Sequence, residues 1–146
     1  MRTTGDPLVR ECPTCGRANR IPLAHLADAG RCGACQAVIP PLAEPLEVDE
    51  RAFDAIVAGT RVPVLVDFWA PWCGPCRSAA PHVVRAAQEN AGRAIVLKVN
   101  SDEEPGLARR YGVAGIPNFV VISKGQVVRQ QAGLVDHRTL SSWLAV

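Results

Sequence analysis

Two cysteines flank a Gly-Pro dipeptide in Trp72-Cys73-Gly74-Pro75-Cys76, directly after the apolar run 62–69. A buried strand that ends in such a pair and opens a helix puts the first thiol at a helix N-terminus. Unpaired backbone N–H groups and the helix dipole there favour a thiolate over a thiol. Thiolates are the species that attack disulfides, so the spacing points to thiol–disulfide exchange. Cys73 is expected to be the better exposed, attacking sulfur. Cys76, one turn on, can then attack the mixed disulfide that Cys73 forms, because two intervening residues let both sulfurs meet. Pro75 stiffens the turn. The bland alternatives are half a metal site or two structural thiols, but no second ligand pair follows residue 40 and Cys76 is the last cysteine.

The other four cysteines lie within the first 35 residues, as Cys12-Pro13-Thr14-Cys15 and Cys32-Gly33-Ala34-Cys35. Two Cys-x-x-Cys knuckles separated by sixteen residues have the spacing of a zinc ribbon. Each knuckle points two sulfurs one way, and two knuckles close a tetrahedral site with no open position. One Zn2+ bound there is structural, and it supplies folding free energy that so short a segment lacks. His25 lies between the pairs, yet four sulfurs suffice.

These groups are unevenly shared along the 146 residues. Residues 1–40 hold five of the 16 Lys and Arg and three of the 14 Asp and Glu; the remainder is balanced. A net charge of +2 is too weak to imply a nucleic-acid partner. No apolar leader follows Met1, and no stretch approaches the ~20 apolar residues of a membrane span, so a cytoplasmic protein is expected. We read 1–7 as a flexible tail, 8–40 as a zinc-ribbon module, 41–45 as a stiff Pro-rich linker and 46–146 as an α/β domain.

The elements that must position the redox pair follow from periodicity. Asp49 N-caps a helix with Phe53, Ile56 and Val57 on one face, stopped near Gly59. Strands are expected over 62–69 and 94–100, with a helix over 73–90 that Pro81 should kink. A short helix over 104–111 follows, then a hairpin over 119–131 turning at Lys124-Gly125, and a last helix capped by Asp136. The order α, β, α, β, α, β, β, α implies a mixed sheet with helices on both faces. Within it, Asp67 and Lys98 are the odd residues of two otherwise apolar strands. A carboxylate isolated in such a strand is costly unless paired or protonated, so Asp67 is a candidate acceptor for the Cys76 proton, with Lys98 as its partner. Trp72 reads as a partly exposed contact for other proteins and Trp69 as packing beneath the loop. His82 and His137 read as surface residues.

The segment from Val66 to Cys76 resembles the active-site segment of the thioredoxin family. The likeness extends through Lys98-Val99-Asn100, Tyr111-Gly112-Val113, Gly115-Ile116-Pro117, Lys124-Gly125 and Gly133. With the two knuckles, it resembles the zinc-containing branch of that family. The resemblance implies a thioredoxin fold behind a small zinc ribbon. It also implies reduction of protein disulfides, because the Gly-Pro dipeptide accompanies the reducing members. It further implies recycling by an NADPH-dependent flavoprotein thioredoxin reductase and action on disulfide-containing proteins; the chain shows no nucleotide-binding glycine fingerprint of its own, so no bound nucleotide is expected, and a monomer is expected. An X-Pro bond is trans by default. The resemblance instead implies a cis Pro117 facing the cysteines, with the Ile116 backbone free to pair with substrate. Asn118 stands where most relatives carry Thr. Two rivals remain: a ribbon that docks a protein or RNA beside an incidental redox domain, and a sensor whose zinc thiolates oxidise.

Overall fold

A computed structural model describes residues 2, 3 and 7–146. The N-terminal part is two small antiparallel hairpins. Strands β1 (Leu8–Glu11) and β2 (Ala18–Ile21) form the first, and β3 (Gly30–Arg31) and β4 (Val38–Ile39) the second. Each hairpin turns on a knuckle, and the knuckles repeat each other's hydrogen bonding. Gly16 N–H bonds the Cys12 carbonyl at 2.9 Å and Gln36 N–H bonds that of Cys32 at 3.0 Å. Both residues are left-handed, with φ of 79° and 67°. Gly16 takes that conformation freely, whereas Gln36 takes it against the usual preference.

A second sheet carries five strands in the order β5 (Leu46–Glu47), β7 (Ile95–Asn100), β6 (Val64–Trp69), β8 (Asn118–Ser123), β9 (Gln126–Ala132). The first three run parallel, and β8 and β9 are antiparallel additions. Lys124 and Gly125 both have positive φ, 53° and 77°, the backbone a two-residue hairpin with the native twist demands. One face of the sheet is covered by α1 (Glu50–Gly59) and α3 (Pro105–Arg110), whose Phe53, Ile56 and Leu107 pack on Val66, Phe68, Leu97 and Val120. The other is covered by α2 (Gly74–Glu89) and α4 (His137–Trp143), whose Ala79, Val83, Leu140 and Trp143 pack on Leu65, Val96 and Phe119. The expected mixed sheet with helices on both faces is thus present.

The predicted caps also form. Asp49 accepts from Ala52 N–H and Asp136 from Thr139 N–H, both at 2.9 Å. Helix α2 runs on through Pro81. His82 and His137 stack at 5.7 Å, and His82 Nδ1 accepts the His137 N–H, so the pair fastens α4 to α2.

Three expectations change. Strand β5 was missed, because two residues carry no readable alternation and its pairing with β7 is wholly non-local. The expected tail lies partly outside the described residues, but Arg2 and Thr3 are held. Thr3 bridges Val48, bonds the Glu47 carbonyl at 2.6 Å and accepts from Asp49 N–H, while Arg2 pairs with Glu104. The segment expected to be a stiff linker, 41–45, is also packed against the ribbon. Leu42 is buried, and its N–H bonds the Leu26 carbonyl at 2.9 Å.

Leu42 shows how the two parts meet. With Leu23, Leu26 and Ala27, from a single 3-10 turn (Leu23–His25) and its continuation, it joins the same buried cluster as Phe53 and Ile56 of α1. The ribbon therefore shares a core with the larger sheet. The approach is closest at Gly59, where an added Cβ would come within 2.9 Å of the Ala24 Cβ. Gly59→Ala is expected to lower stability by about 1–3 kcal/mol through overpacking, despite alanine's better helix propensity. Denaturant unfolding of full-length protein checks this.

Candidate active site and metal centre

Strand β6 ends at Trp69, and the chain turns through Ala70 and Pro71 into α2. Cys73 is the N-cap of α2, and its Sγ accepts the Cys76 N–H at 3.2 Å. Pro75, in the first turn, costs no hydrogen bond because its N–H would be an orphan there. Cys73 and Cys76 are joined as a disulfide with Cα atoms 5.2 Å apart. They pack with Ala70, Trp69 and Ile116. Cys73 and Cys76 are 4% and 5% exposed, so the expected difference in exposure is absent from this oxidised form. Packing of both sulfurs against Ala70, Trp69 and Ile116 equalises them.

The loop from Gly112 to Ile116 brings a third element to the sulfurs. The Ile116–Pro117 peptide is cis, against the default for an X-Pro bond, and the Ile116 carbonyl oxygen lies 3.7 Å from Cys73 Sγ. Trp72 is 67% exposed, with its indole N–H donated to Asp102 at 2.8 Å. An exposed indole, a partly buried isoleucine and a redox disulfide thus share one rim.

Behind this rim, Asp67 is 2% exposed, and its Oδ1 has no hydrogen-bond partner among the described residues. Burial pushes its carboxyl up to about 7; Lys98 opposes the rise and Glu47 adds to it. Lys98 is in register with Asp67 on β7, as a partner should be, but its Nζ lies 4.5 Å over the Trp69 ring. Glu47, opposite Lys98 on β5, accepts the Trp69 indole N–H at 3.2 Å and is also shifted up by burial. Sequence reasoning missed Glu47. An acid in a two-residue strand gives no local sign that it will face Lys98 on the adjacent strand and stand two strands away from Asp67.

The four N-terminal sulfurs converge as their spacing required, all within 4.8 Å of one another. Sγ–Sγ separations are 3.7 Å for Cys12–Cys35 and 3.6 Å for Cys15–Cys32. A tetrahedron with Zn–S bonds of about 2.3 Å has edges of about 3.8 Å, so the donor set fits zinc. Backbone N–H groups of Thr14 and Cys15 point at Cys12 Sγ, and that of Ala34 at Cys32 Sγ. Such donors favour thiolates. Hydrogen bonds from the Cys35 and Ala34 backbones and from Asn19 bring the Cys32 thiol down to about 6. His25 is instead paired with Asp28 at 2.8 Å and is not a ligand.

A CxxC disulfide capping a helix, with a cis-proline against it on a mixed sheet, defines a thiol–disulfide oxidoreductase. Residues 44–146 match the thioredoxin family, and residues 11–37 match the zinc-ribbon family described as thioredoxin 2, N-terminal. The chain belongs to the thioredoxin family, with a zinc ribbon at its N-terminal side, and reduces protein disulfides through Cys73 and Cys76. It is similar to thioredoxin C-3 of Corynebacterium nephridii, 35% identical over 91% of this chain and 90% of that one. It is also similar to thioredoxin 1 of Nostoc sp., 47% identical over 67% of this chain and 92% of the relative. Among solved structures, a mutant thioredoxin from Halobacterium salinarum superposes with a TM-score of 0.65 at 36% identity, covering 70% of this chain and 88% of that one. No described helix is long and apolar enough to cross a membrane.

Proposed function

We propose that electrons pass from the reduced Cys73/Cys76 pair to the disulfides of partner proteins, with Asp67 handling the proton of the second step. Cys73 thiolate attacks one sulfur of the substrate disulfide. A Cys73–substrate bond forms, and the other substrate sulfur leaves as a thiolate. Cys76 then gives its proton to the Asp67 carboxylate and attacks Cys73 Sγ. The Cys73–Cys76 bond closes, the second substrate sulfur departs with the pair of bonding electrons, and Asp67 returns its proton through solvent. Two electrons have moved from the dithiol to the substrate.

The observation that carries this reading is the position of Cys73. Its sulfur caps α2, where the Cys76 N–H and the helix dipole stabilise negative charge. The exposed Trp72 and the Ile116–Pro117 backbone are the surfaces that receive substrate, an extended segment pairing with Ile116 as an added strand. Gly74, without a side chain, leaves that approach open. An acid held near 7 beside the site suits transfer from a thiol, and Lys98 tunes it. Oxidised protein is returned to the dithiol by an NADPH-dependent flavoprotein reductase, and the protein works as a cytoplasmic monomer.

One Zn2+ held by Cys12, Cys15, Cys32 and Cys35 ties the two hairpins together. Because the ribbon shares a core with α1, removing the metal should loosen the Leu23–Leu26 packing as well. Dialysis against a chelator under reducing conditions is expected to release one zinc per chain and to lower the melting temperature. An unchanged melting curve after complete release would refute a structural metal. The whole reading is tested by disulfide reduction with insulin as substrate and by trapping partners on Cys73 in the Cys76→Ser variant.

A further inference from the structure

Glu47 belongs to no motif and lies in an element the sequence did not disclose, yet it completes a row of three charges behind the redox pair. Glu47 on β5, Lys98 on β7 and Asp67 on β6 occupy matched positions across three adjacent parallel strands. Side chains at matched positions of parallel strands leave the sheet on the same side. That side is the one α2 covers, since Leu65 and Trp69, two residues either way from Asp67, pack with α2 residues. Two acids therefore flank one lysine in a largely apolar layer.

The lysine is not shared evenly. Trp69 donates its indole N–H to Glu47 at 3.2 Å, and the same ring lies 4.5 Å beneath the Lys98 ammonium. Trp69 thus gathers Glu47 and Lys98 to one place, while Asp67 Oδ1 is left without a hydrogen-bond partner among the described residues. Other elements offer Asp67 little. Its register partner on β8 is Phe119, and α2 turns Cys76, Ala79 and Val83 inwards, none of them charged. Glu47 is also faced by Glu103, from the turn after β7, and by the Asn100 backbone.

We infer that Glu47 is a positioning residue for disulfide exchange: with Trp69 it holds Lys98 away from Asp67, and so sets the pH at which Asp67 can take the Cys76 proton. The inference rests on the proton role given to Asp67 above. Burial raises the Asp67 carboxyl, Lys98 lowers it and the Glu47 charge raises it further. Replacing Glu47 by a neutral residue removes one opposing charge and frees the lysine to turn towards Asp67. Both changes favour the carboxylate, so Asp67 should ionise at lower pH.

The test uses full-length zinc-loaded protein with 13C-labelled carboxyl groups. Asp67 is titrated by NMR, and the pH profile of disulfide reduction is recorded for native protein, Glu47→Gln, Glu47→Asp and Trp69→Phe. In Glu47→Gln the Asp67 midpoint is expected to fall by about one pH unit, with the acidic limb of the rate profile falling alongside. Glu47→Asp should restore part of the shift. Trp69→Phe, which keeps a ring but removes the donor, should move the midpoint the same way and covers the case of a Glu47→Gln chain that does not fold. An unmoved Asp67 midpoint in a folded variant overturns the inference and leaves the proton role of Asp67 standing. A midpoint that moves while the rate profile stays overturns that proton role, and Glu47's part in the reaction with it.

Discussion

Cys73→Ser is expected to reduce disulfide reductase activity by on the order of a thousandfold or more, because it removes the helix-capping sulfur that forms the mixed disulfide. The four N-terminal sulfurs do not substitute, being gathered into their own cluster. Cys76→Ser should behave differently. Its Cys73 can still attack, so one equivalent of substrate is captured and turnover stops at the bridged complex. Reducing-agent-sensitive adducts on a non-reducing gel distinguish the two variants. Adducts with Cys73→Ser, or steady turnover by Cys76→Ser, would break the assignment of attacking and resolving sulfurs. Neither change should perturb the fold of the reduced protein much, since serine caps helices well at position 73 and is close in size to cysteine at position 76.

Asp67→Asn is the second large effect, and it has two signs. The folded carboxyl is raised from 3.8 to about 7, so between these values the native state holds a proton that the unfolded chain has lost. Stability is then fully present below about pH 4 and declines as pH rises through 7. The neutral amide does not ionise. Asp67→Asn should therefore exceed the parent in stability by up to about 4 kcal/mol above pH 8, with the gap closing towards pH 4. Activity moves the other way. Without a carboxylate to take the Cys76 proton, the resolving step should slow roughly tenfold to a hundredfold near neutrality and lose its dependence on a group titrating near 7. Paired melts and rates across pH 4–9 check both signs. A variant no more stable than the parent at pH 8 would mean that Asp67 is not buried with a raised carboxyl.

The trade between these signs would explain why an acid whose Oδ1 has no hydrogen-bond partner among the described residues persists in so apolar a strand. Burial beside Leu65 and Phe119 costs stability, and the same burial raises the carboxyl to about 7, where the proposed acceptor role needs it. On the proposed mechanism Glu47 and Lys98 adjust that value, and the three-strand row is then a unit of function as well as of packing.

Much of this was legible in residue order. Spacing within 12–35 determined the metal cluster, because four thiolates at knuckle spacing have few other uses. The strand-to-helix junction at 69–76 determined where the thiolate would stand, and Asp49, Asp136 and Lys124-Gly125 marked caps and a turn through local backbone chemistry. Asp67 betrayed itself as a charge in an apolar run. Apart from the meeting of the two knuckles, 17 to 23 residues apart, these are features of a few consecutive residues, which a sequence displays directly. Other features needed the folded chain. Strand β5, the Leu42 and Leu26 packing that joins the ribbon to α1, and the equal burial of Cys73 and Cys76 depend on segments tens of residues apart. So does the row from Glu47 through Lys98 to Asp67, whose members meet only because three parallel strands align in one register. Local order set the chemistry of the sulfurs; the sheet, by bringing distant side chains onto one face, decided which charges surround their proton.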